Sequence, residues 1–451
     1  MENSRKSNSA DLAHRLAGQL ATLIPPHSSV LVAFSGGVDS VVLLHLLHQF
    51  APRFSWQLSA LHVHHGISPH ADEWADFCEQ LCADYKLSFY LERVDIQPLR
   101  ERGIEAAARQ LRYAAYAKYA RDFLVLAHHA DDQAETVLLQ LLRGSGVRGA
   151  SAMPMLARRG TLWLRPLLHY TRAEIVAYAQ THHLSWIEDE SNADDSYPRN
   201  FLRHQILPIL NEKFPSYRQT LTRSAQHFAE ASELLDELAQ LDAVSAMHDD
   251  TLQIAALKNL SVTRAKNLLR YFLQTRGASM PQTVQLDDML QQLIHARDDA
   301  NVCVEFSGWQ VRRYQGAVYV LPALPDFDAA LKLVWENEVS LPWVALDARI
   351  DFELSQGRGI SLAKLRSAPV TLRFRQGGEV LKPRASATTR TLKNLMQEQH
   401  IPPWLRDRAP LLFCGEELVC APGVIAANFQ SGVGEAGVEM RVVKNESGEA
   451  G

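Results

Sequence analysis

Three polar clusters carry residue types that do chemistry together. The first is Ser35-Gly36-Gly37-Val38-Asp39-Ser40, set between the five apolar residues Val30 to Phe34 and the mostly apolar run Val41 to Leu47. A buried strand, a glycine turn and a helix start make an anion site. The first helical N–H groups are free, the dipole end is positive, and glycines let the backbone approach phosphate oxygens. Ser35 and Ser40 add hydroxyls. The turn has neither the Lys of a Walker A loop nor the third Gly of the dinucleotide fingerprint. The second cluster is His128-His129-Ala130-Asp131-Asp132-Gln133-Ala134-Glu135-Thr136. Asp132 and Glu135, three apart, share one face of a first helical turn. Carboxylates there hold magnesium or pair with an ammonium group. The plainer alternative is a capping box, with Asp132 as the cap and Glu135 reaching back; it leaves Asp131 and the two histidines without a use. The third cluster is His62-Val63-His64-His65-Gly66. Three imidazoles suggest zinc, but no Cys or spaced carboxylate completes a tetrahedral set, and strand alternation sends neighbours to opposite faces.

Basic residues form further groups. Glu105, Arg109 and Arg112 fall on one helix face; the bland reading is a solvated salt-bridge stripe, but Ala106 to Ala108 argue for close packing. From Arg143 to Ala173 the chain has six Arg and no Asp, Glu or Lys, which points Arg143 and Arg148 at phosphate. The stretch from Trp186 to His204 mixes acids, aromatics, Arg199 and Arg203 in an irregular loop, the composition of a site more than of a core.

The elements that position these clusters alternate. Periodicity predicts helices over 11–24, 41–47, 72–85, 104–121 and 132–142, and strands over 30–34, 57–63, 87–94 and 123–127. Strands separated by helices imply right-handed crossovers and an α/β domain with a doubly wound parallel sheet. Ligands of such sheets sit beyond the carboxyl ends of the strands, where the loops at 35–40, 62–66 and 128–132 converge.

A chain of 451 residues is too long for one core. The first domain is expected over 1–215, a mainly helical middle domain with short strands over 216–340, a small α+β domain over 341–443, and a disordered tail over 444–451. Residues 325–345 read as a connection into the last domain. The hydrophobic fraction of 47% is that of a globular protein, and the net charge of −5 confines any nucleic-acid contact to local patches. One such patch lies between Arg366 and Lys393, with seven basic residues against Glu379 alone; it includes Arg373, Arg375, Arg390 and Lys393, with Trp404 and Arg406 nearby. Five scattered cysteines give no disulfide or metal spacing, and Cys78 and Cys82 read as buried thiols. The polar N-terminus and the lack of long apolar runs favour the cytoplasm and no membrane association.

The turn at Ser35–Ser40 resembles the pyrophosphatase loop of the PP-loop enzymes. Taken with Arg165-Pro166-Leu167-Leu168, Trp186 through Arg203, Arg373 through Glu379 and Ile401 through Arg408, the clusters resemble the tRNA(Ile)-lysidine synthetase family over nearly the whole chain. The resemblance implies a PP-loop fold, adenine nucleotide alpha hydrolase-like. It also implies an ATP-dependent ligation of free L-lysine to C2 of the cytidine at the first anticodon position of tRNA(Ile) bearing CAU. AMP and diphosphate leave, and chains of the family often pair as homodimers. On that reading Ser35, Gly36, Gly37, Val38, Asp39, Ser40, His62 and His64 bind ATP. Asp39 and Asp131 hold Mg2+. Asp132 and Glu135 recognise the lysine amine and Arg109 faces its carboxylate. Asp39, Asp132, Glu135 and Arg199 are the catalytic set, and Arg143, Arg148, Arg203, Arg373, Arg375, Arg390 and Lys393 touch tRNA. A PP-loop tRNA thiolase would need a C-x-x-C pair or an iron–sulfur set, and an amidotransferase a glutaminase region; neither is visible. A non-catalytic tRNA-binding protein is opposed by intact Asp39, Asp132 and Glu135.

Overall fold

The computed structural model describes residues 2–98, 103–297, 300–384 and 388–444, with the side chains of residues 2–10, 104, 105, 191 and 192 excepted. The side chain of Glu105 and the tail 445–451 therefore lie outside the described residues. The chain forms two compact units, Met1–Leu235 and Asp236–Ala450.

In the first unit, α1 (Glu2–Leu23), β1 (Ser29–Ala33), α2 (Val38–Phe54), β2 (Gln57–His64), α3 (Ala71–Asp84), β3 (Ser88–Arg93), α4 (Ile104–Tyr119), β4 (Phe123–Val125) and α5 (Ala130–Leu142) follow in turn. Next come α6 (Val147–Ala150), β5 (Leu156–Arg159), β6 (Thr161–Leu164) and α7 (Arg172–Thr181). The sheet order is β3-β2-β1-β4-β6-β5. All pairings are parallel except β5 with β6. The β5–β6 hairpin was not legible as strands, because Arg158 and Arg159 interrupt its alternation and it read only as part of a basic run.

Alternation along β1 explains why both faces are covered. Val30 and Val32 pack under α1, α2 and α7 with Leu16, Leu20, Leu43, Leu47 and Tyr178. Leu31 points the other way, into a smaller core with Leu61, Tyr116, Leu124 and Trp163. Burying apolar faces on both sides is what a near-continuous Val/Leu strand requires. Because β2 lies on one side of β1 and β4 on the other, the strand order reverses between β1 and β4. The loop after β1 and the loop after β4 open onto the crevice at that reversal.

A π turn over Leu202–Ile206 follows the short helix α8 (Pro198–Phe201), then α9 (Leu207–Lys213) and the long α10 (Tyr217–Ala246). The second unit begins with helices Ile254–Asn259, Val262–Thr275 and Thr283–His295 against a five-stranded antiparallel sheet. The strands Cys303–Phe306, Trp309–Tyr314 and Ala317–Pro322 turn at Gly308 and Gly316. Further antiparallel sheets then build a core around Trp335, Trp343, Phe352 and Phe374. Residues 325–345 are not a bare connection. Lys332–Val334 pairs with Val370–Arg373, and Ser340–Trp343 pairs with Ala348–Gln356, so the last sheets begin earlier than expected. Trp335 and Trp343 were the missed cue: both are buried. Among the described residues no helix is long and apolar enough to cross a membrane.

Candidate active site at the strand reversal

The loop after β1 is built to face an anion. Gly37 caps α2 with no side-chain hydrogen bond to the helix start. Helical i−4 bonding begins only with Val41 N–H to Gly37 C=O, so the earlier N–H groups have no intrahelical partner. Ser40 Oγ donates to Gly37 C=O at 2.9 Å and lies 3.2 Å from Ser35 Oγ, which turns both hydroxyls into the loop. Gly36 has φ +85°, and a Cβ there would lie 2.4 Å from Ile187 Cδ1. The Ile187 N–H donates to Gly36 C=O at 3.0 Å, so the 186–187 segment clamps the loop from outside. His62 supports it from β2: its Nδ1 faces the Phe34 carbonyl at 3.0 Å, and burial pushes its pKa down despite that bond.

The acids come from α5. The helix starts at Ala130, earlier than the expected 132, because His129 is the cap. Asp132 N–H donates to His129 Nδ1, and Asp132 Oδ2 accepts from His129 N–H at 3.0 Å. A capping box is therefore present, but with Asp132 in the third position and not as the cap, which frees Glu135 for other work. Glu135 is wholly buried. Its Oε2 accepts from Arg199 Nε at 2.6 Å and its Oε1 from Arg203 Nε at 2.7 Å. Asp132 Oδ1 accepts from Arg199 Nη2 at 3.2 Å. Burial alone would push the Asp132 carboxyl up; the charges of His129 and Arg199 and the His129 N–H outweigh it and hold the pKa below the usual carboxylate value. Burial likewise works against the Arg203 charge, and Glu135, Asp132 and Asp39 more than restore it.

One imidazole joins the two halves. His129 Nε2 lies 3.6 Å from Asp39 Oδ1 and 3.4 Å from Asp132 Oδ2. The phosphate-type loop and the acid pair therefore face one space. Asp39 Oδ1 is buried with no hydrogen-bond partner, and burial pushes its pKa up against the pull of His129 and Arg172. A buried, orphaned carboxylate oxygen beside a phosphate loop fits a divalent cation carried on a triphosphate, since Mg2+ takes one or two carboxylates and fills its shell with phosphate and water oxygens. Asp131 does not fit that role. Its Oδ1 accepts from Arg218 Nε and its Oδ2 from Arg172 N–H at 2.9 Å, so both oxygens are engaged. Among the described residues no group of three or more His, Cys, Asp or Glu is arranged to hold a metal.

Other expected residues are placed less centrally. His64 is buried, but its Nε2 faces Asp72 and Arg93 at 3.3 Å, on the β3 side of the sheet. Arg109 is exposed with its guanidinium 5.2 Å from the Tyr113 ring. It belongs to a basic group with Arg159 and Arg165, and Arg165 in turn influences His128. Burial pushes His128 down to about 3, so it is neutral in the folded protein. Arg143 and Arg148 are exposed beyond α5. Three participants are not singled out by the sequence: His129 stands only within its cluster, Ile187 lies inside the stretch from Trp186 to His204, and Arg218 carries no sequence signal at all. A cavity of about 310 Å³ beside α5 is lined by His129, Asp131, Glu135, Arg172, Arg203 and Arg218 among others.

The chain is similar to known proteins over most of its length. Residues 9–210 match the PP-loop domain family, residues 252–319 a TilS substrate binding domain and residues 370–442 a TilS substrate C-terminal domain. The chain is 41% identical over 443 residues to the tRNA(Ile)-lysidine synthase of Nitrosomonas europaea, covering 97% of each chain. It is 39% identical to that of Coxiella burnetii, covering 93% of this chain and 94% of the relative. The chain belongs to the tRNA(Ile)-lysidine synthase family. The two later matched regions both lie in the second unit, away in sequence from the acid site.

There the basic patch is less free than its composition suggests. Arg373 donates to both oxygens of Glu416, Arg375 faces Asp407 and Glu379, and Arg390 pairs with Glu398. Lys393 is exposed. Arg406 is no part of the patch: it is buried, donating to Ile401 C=O at 2.7 Å and Tyr314 OH at 2.6 Å. Trp404 packs edge-on against Tyr314 and Tyr319, with Arg312 over its ring. These two residues fasten the hairpin strands to the following subdomain.

Proposed function

We propose that the protein joins the ε-amino group of L-lysine to C2 of the cytidine at the first anticodon position of tRNA(Ile) with a CAU anticodon. ATP is consumed, and AMP and diphosphate are released. The modified tRNA then reads AUA in place of AUG and accepts isoleucine in place of methionine. The observation that carries the reading is His129, one imidazole within reach of both the loop carboxylate Asp39 and the acid Asp132.

The chemistry follows from the residues. The C2 oxygen of cytosine is a poor leaving group until an AMP moiety is placed on it. The N–H groups at the start of α2 and the hydroxyls of Ser35 and Ser40 would stabilise charge on the departing diphosphate. Asp39 would hold Mg2+, which neutralises phosphate charge when bound. Asp132 and Glu135 would receive the lysine ammonium, and one of them would take its proton, because only the neutral amine attacks. Arg109, on the rim with Arg159 and Arg165, would face the lysine carboxylate. The exposed Arg143, Arg148 and Lys393, and the partly paired Arg373, Arg375 and Arg390, would meet tRNA phosphates. Such an enzyme works in the cytoplasm; the homodimer implied by the resemblance is checked by light scattering.

The thiolase reading is disfavoured by the cysteines: all five are free, Cys78 and Cys82 are buried, and burial pushes the Cys82 thiol up to about 12. The deciding experiment supplies labelled lysine, ATP and tRNA bearing CAU. Lysine transfer to tRNA with release of AMP is expected. ATP cleavage without lysine transfer would overturn the proposal. Asp132→Asn is expected to lose lysidine formation while still binding ATP.

A further inference from the structure

The acids that should receive the lysine ammonium are already occupied. Both oxygens of Glu135 accept hydrogen bonds from Arg199 and Arg203, and Asp132 takes one from Arg199 and a second contact at 3.5 Å from Arg203. Asp131, Asp132 and Glu135 together face the guanidinium groups of Arg199, Arg203 and Arg218, one for each carboxylate. A lysine ammonium arriving at Asp132 and Glu135 finds both already paired. Placing a third cation against Asp132 and Glu135, in a site where Glu135 is wholly buried, is repulsive at low effective dielectric.

A triphosphate changes that balance. Arg203 lines the same cavity as His129, whose Nε2 lies 3.6 Å from Asp39 Oδ1 on the phosphate loop, so Arg203 opens onto the space that the two halves of the site share. Its side chain is 22% exposed, not locked in a core. The segment that carries it, Leu202–Ile206, is wound as a π turn directly after an α turn. π turns are uncommon and are frequent at functional sites, and rewinding one rotates the residues it carries about the helix axis. Phosphate oxygens are strong bidentate acceptors for guanidinium.

We propose that Arg203, with Arg199 beside it, is a resident counter-ion of the lysine-binding acids and transfers to the triphosphate when ATP enters, so that nucleotide binding creates the lysine site. This rests on the assignment of Asp132 and Glu135 to lysine made above. No bond is made or broken; one ion pair exchanges for another. The consequence is a positive coupling between the two substrates, equal in both directions by linkage.

The test is calorimetric titration of L-lysine into the full-length protein, with and without α,β-methylene-ATP and Mg2+, in the absence of tRNA. The wild-type Kd for lysine is expected to fall about tenfold or more when the analogue is bound. The analogue should bind tighter by the same factor with lysine present. In Arg203→Met the lysine affinity without nucleotide should rise, and the coupling should shrink to within about threefold of unity. Arg203→Lys, which keeps a charge without the bidentate fork, should retain part of it. Equal lysine affinity with and without the analogue in the wild type would overturn the proposal, whatever the variants do. So would full coupling in a folded Arg203→Met. If instead wild-type protein transfers no lysine to tRNA at all, it is the functional assignment that fails.

Discussion

Replacing Glu135 by Gln removes one formal charge and almost no volume. In the wild type the buried carboxylate accepts from Arg199 Nε, Arg203 Nε and Arg203 Nη2 at 2.6, 2.7 and 3.0 Å. The amide keeps one acceptor oxygen and turns two N–H donors toward guanidinium donors. Breaking a buried pair costs about 3–5 kcal/mol when the surviving charge is stranded. Here the survivors are not fully stranded: the Arg199 side chain is 33% and that of Arg203 22% exposed, and Arg199 keeps Asp132. The expected loss is therefore at or just below the lower end of that range, about 2–3 kcal/mol, read as a fall in urea midpoint at unchanged slope. Catalysis should suffer separately. Losing one partner of a desolvated charge pair at a substrate amine corresponds to roughly 100-fold in kcat/KM for lysine. A stability within about 0.5 kcal/mol of wild type would refute the ion-paired description of Glu135, because surface-like changes fall in that band. Normal lysine turnover would refute its assignment to the amine.

Other outcomes follow from the same geometry. Because folding raises the Asp39 pKa, its ionised form opposes folding at neutral pH; Asp39→Asn should melt higher than wild type near pH 7, with the difference closing as pH falls through the Asp39 pKa, and should lose Mg2+-dependent ATP cleavage. Asp132 has the opposite sign: its depressed pKa contributes stability that is complete above the ordinary carboxylate value and lost as pH falls below it, so Asp132→Asn should flatten the acid limb of a stability–pH curve. Gly36→Ala forces a side chain onto φ +85° and into Ile187, which should cost about 1–2 kcal/mol for the backbone alone and weaken ATP binding; Ile187→Ala should restore the space but not the backbone term. Lys393→Ala should lower the salt slope of tRNA binding by about one, and Arg390→Gln by less, since Glu398 already neutralises Arg390.

The chain alone determined a good deal, and for local reasons. Five apolar residues before a two-glycine turn can hardly be anything but a buried strand entering an anion-facing loop, and β1, α2 and that loop are where the pattern put them. The order of strands and helices fixed a layered α/β fold, and the rule that ligands sit beyond strand ends brought residues 35–40 and 128–136 together before any coordinates did. What the sequence misplaced was decided by partners far away along the chain. Asp131 was expected to hold a cation, but Arg218, 87 residues on, takes it. Arg373, Arg375 and Arg390 formed a basic run by composition, yet Glu416 and Asp407, in turns 43 and 32 residues on, neutralise the first two, and Glu398, at the end of the next helix, pairs with Arg390. Composition and spacing report which charges a segment contains; only the tertiary fold settles which of them still lack a counter-ion, because a charge interacts through space with whatever folding brings near it, irrespective of distance along the chain.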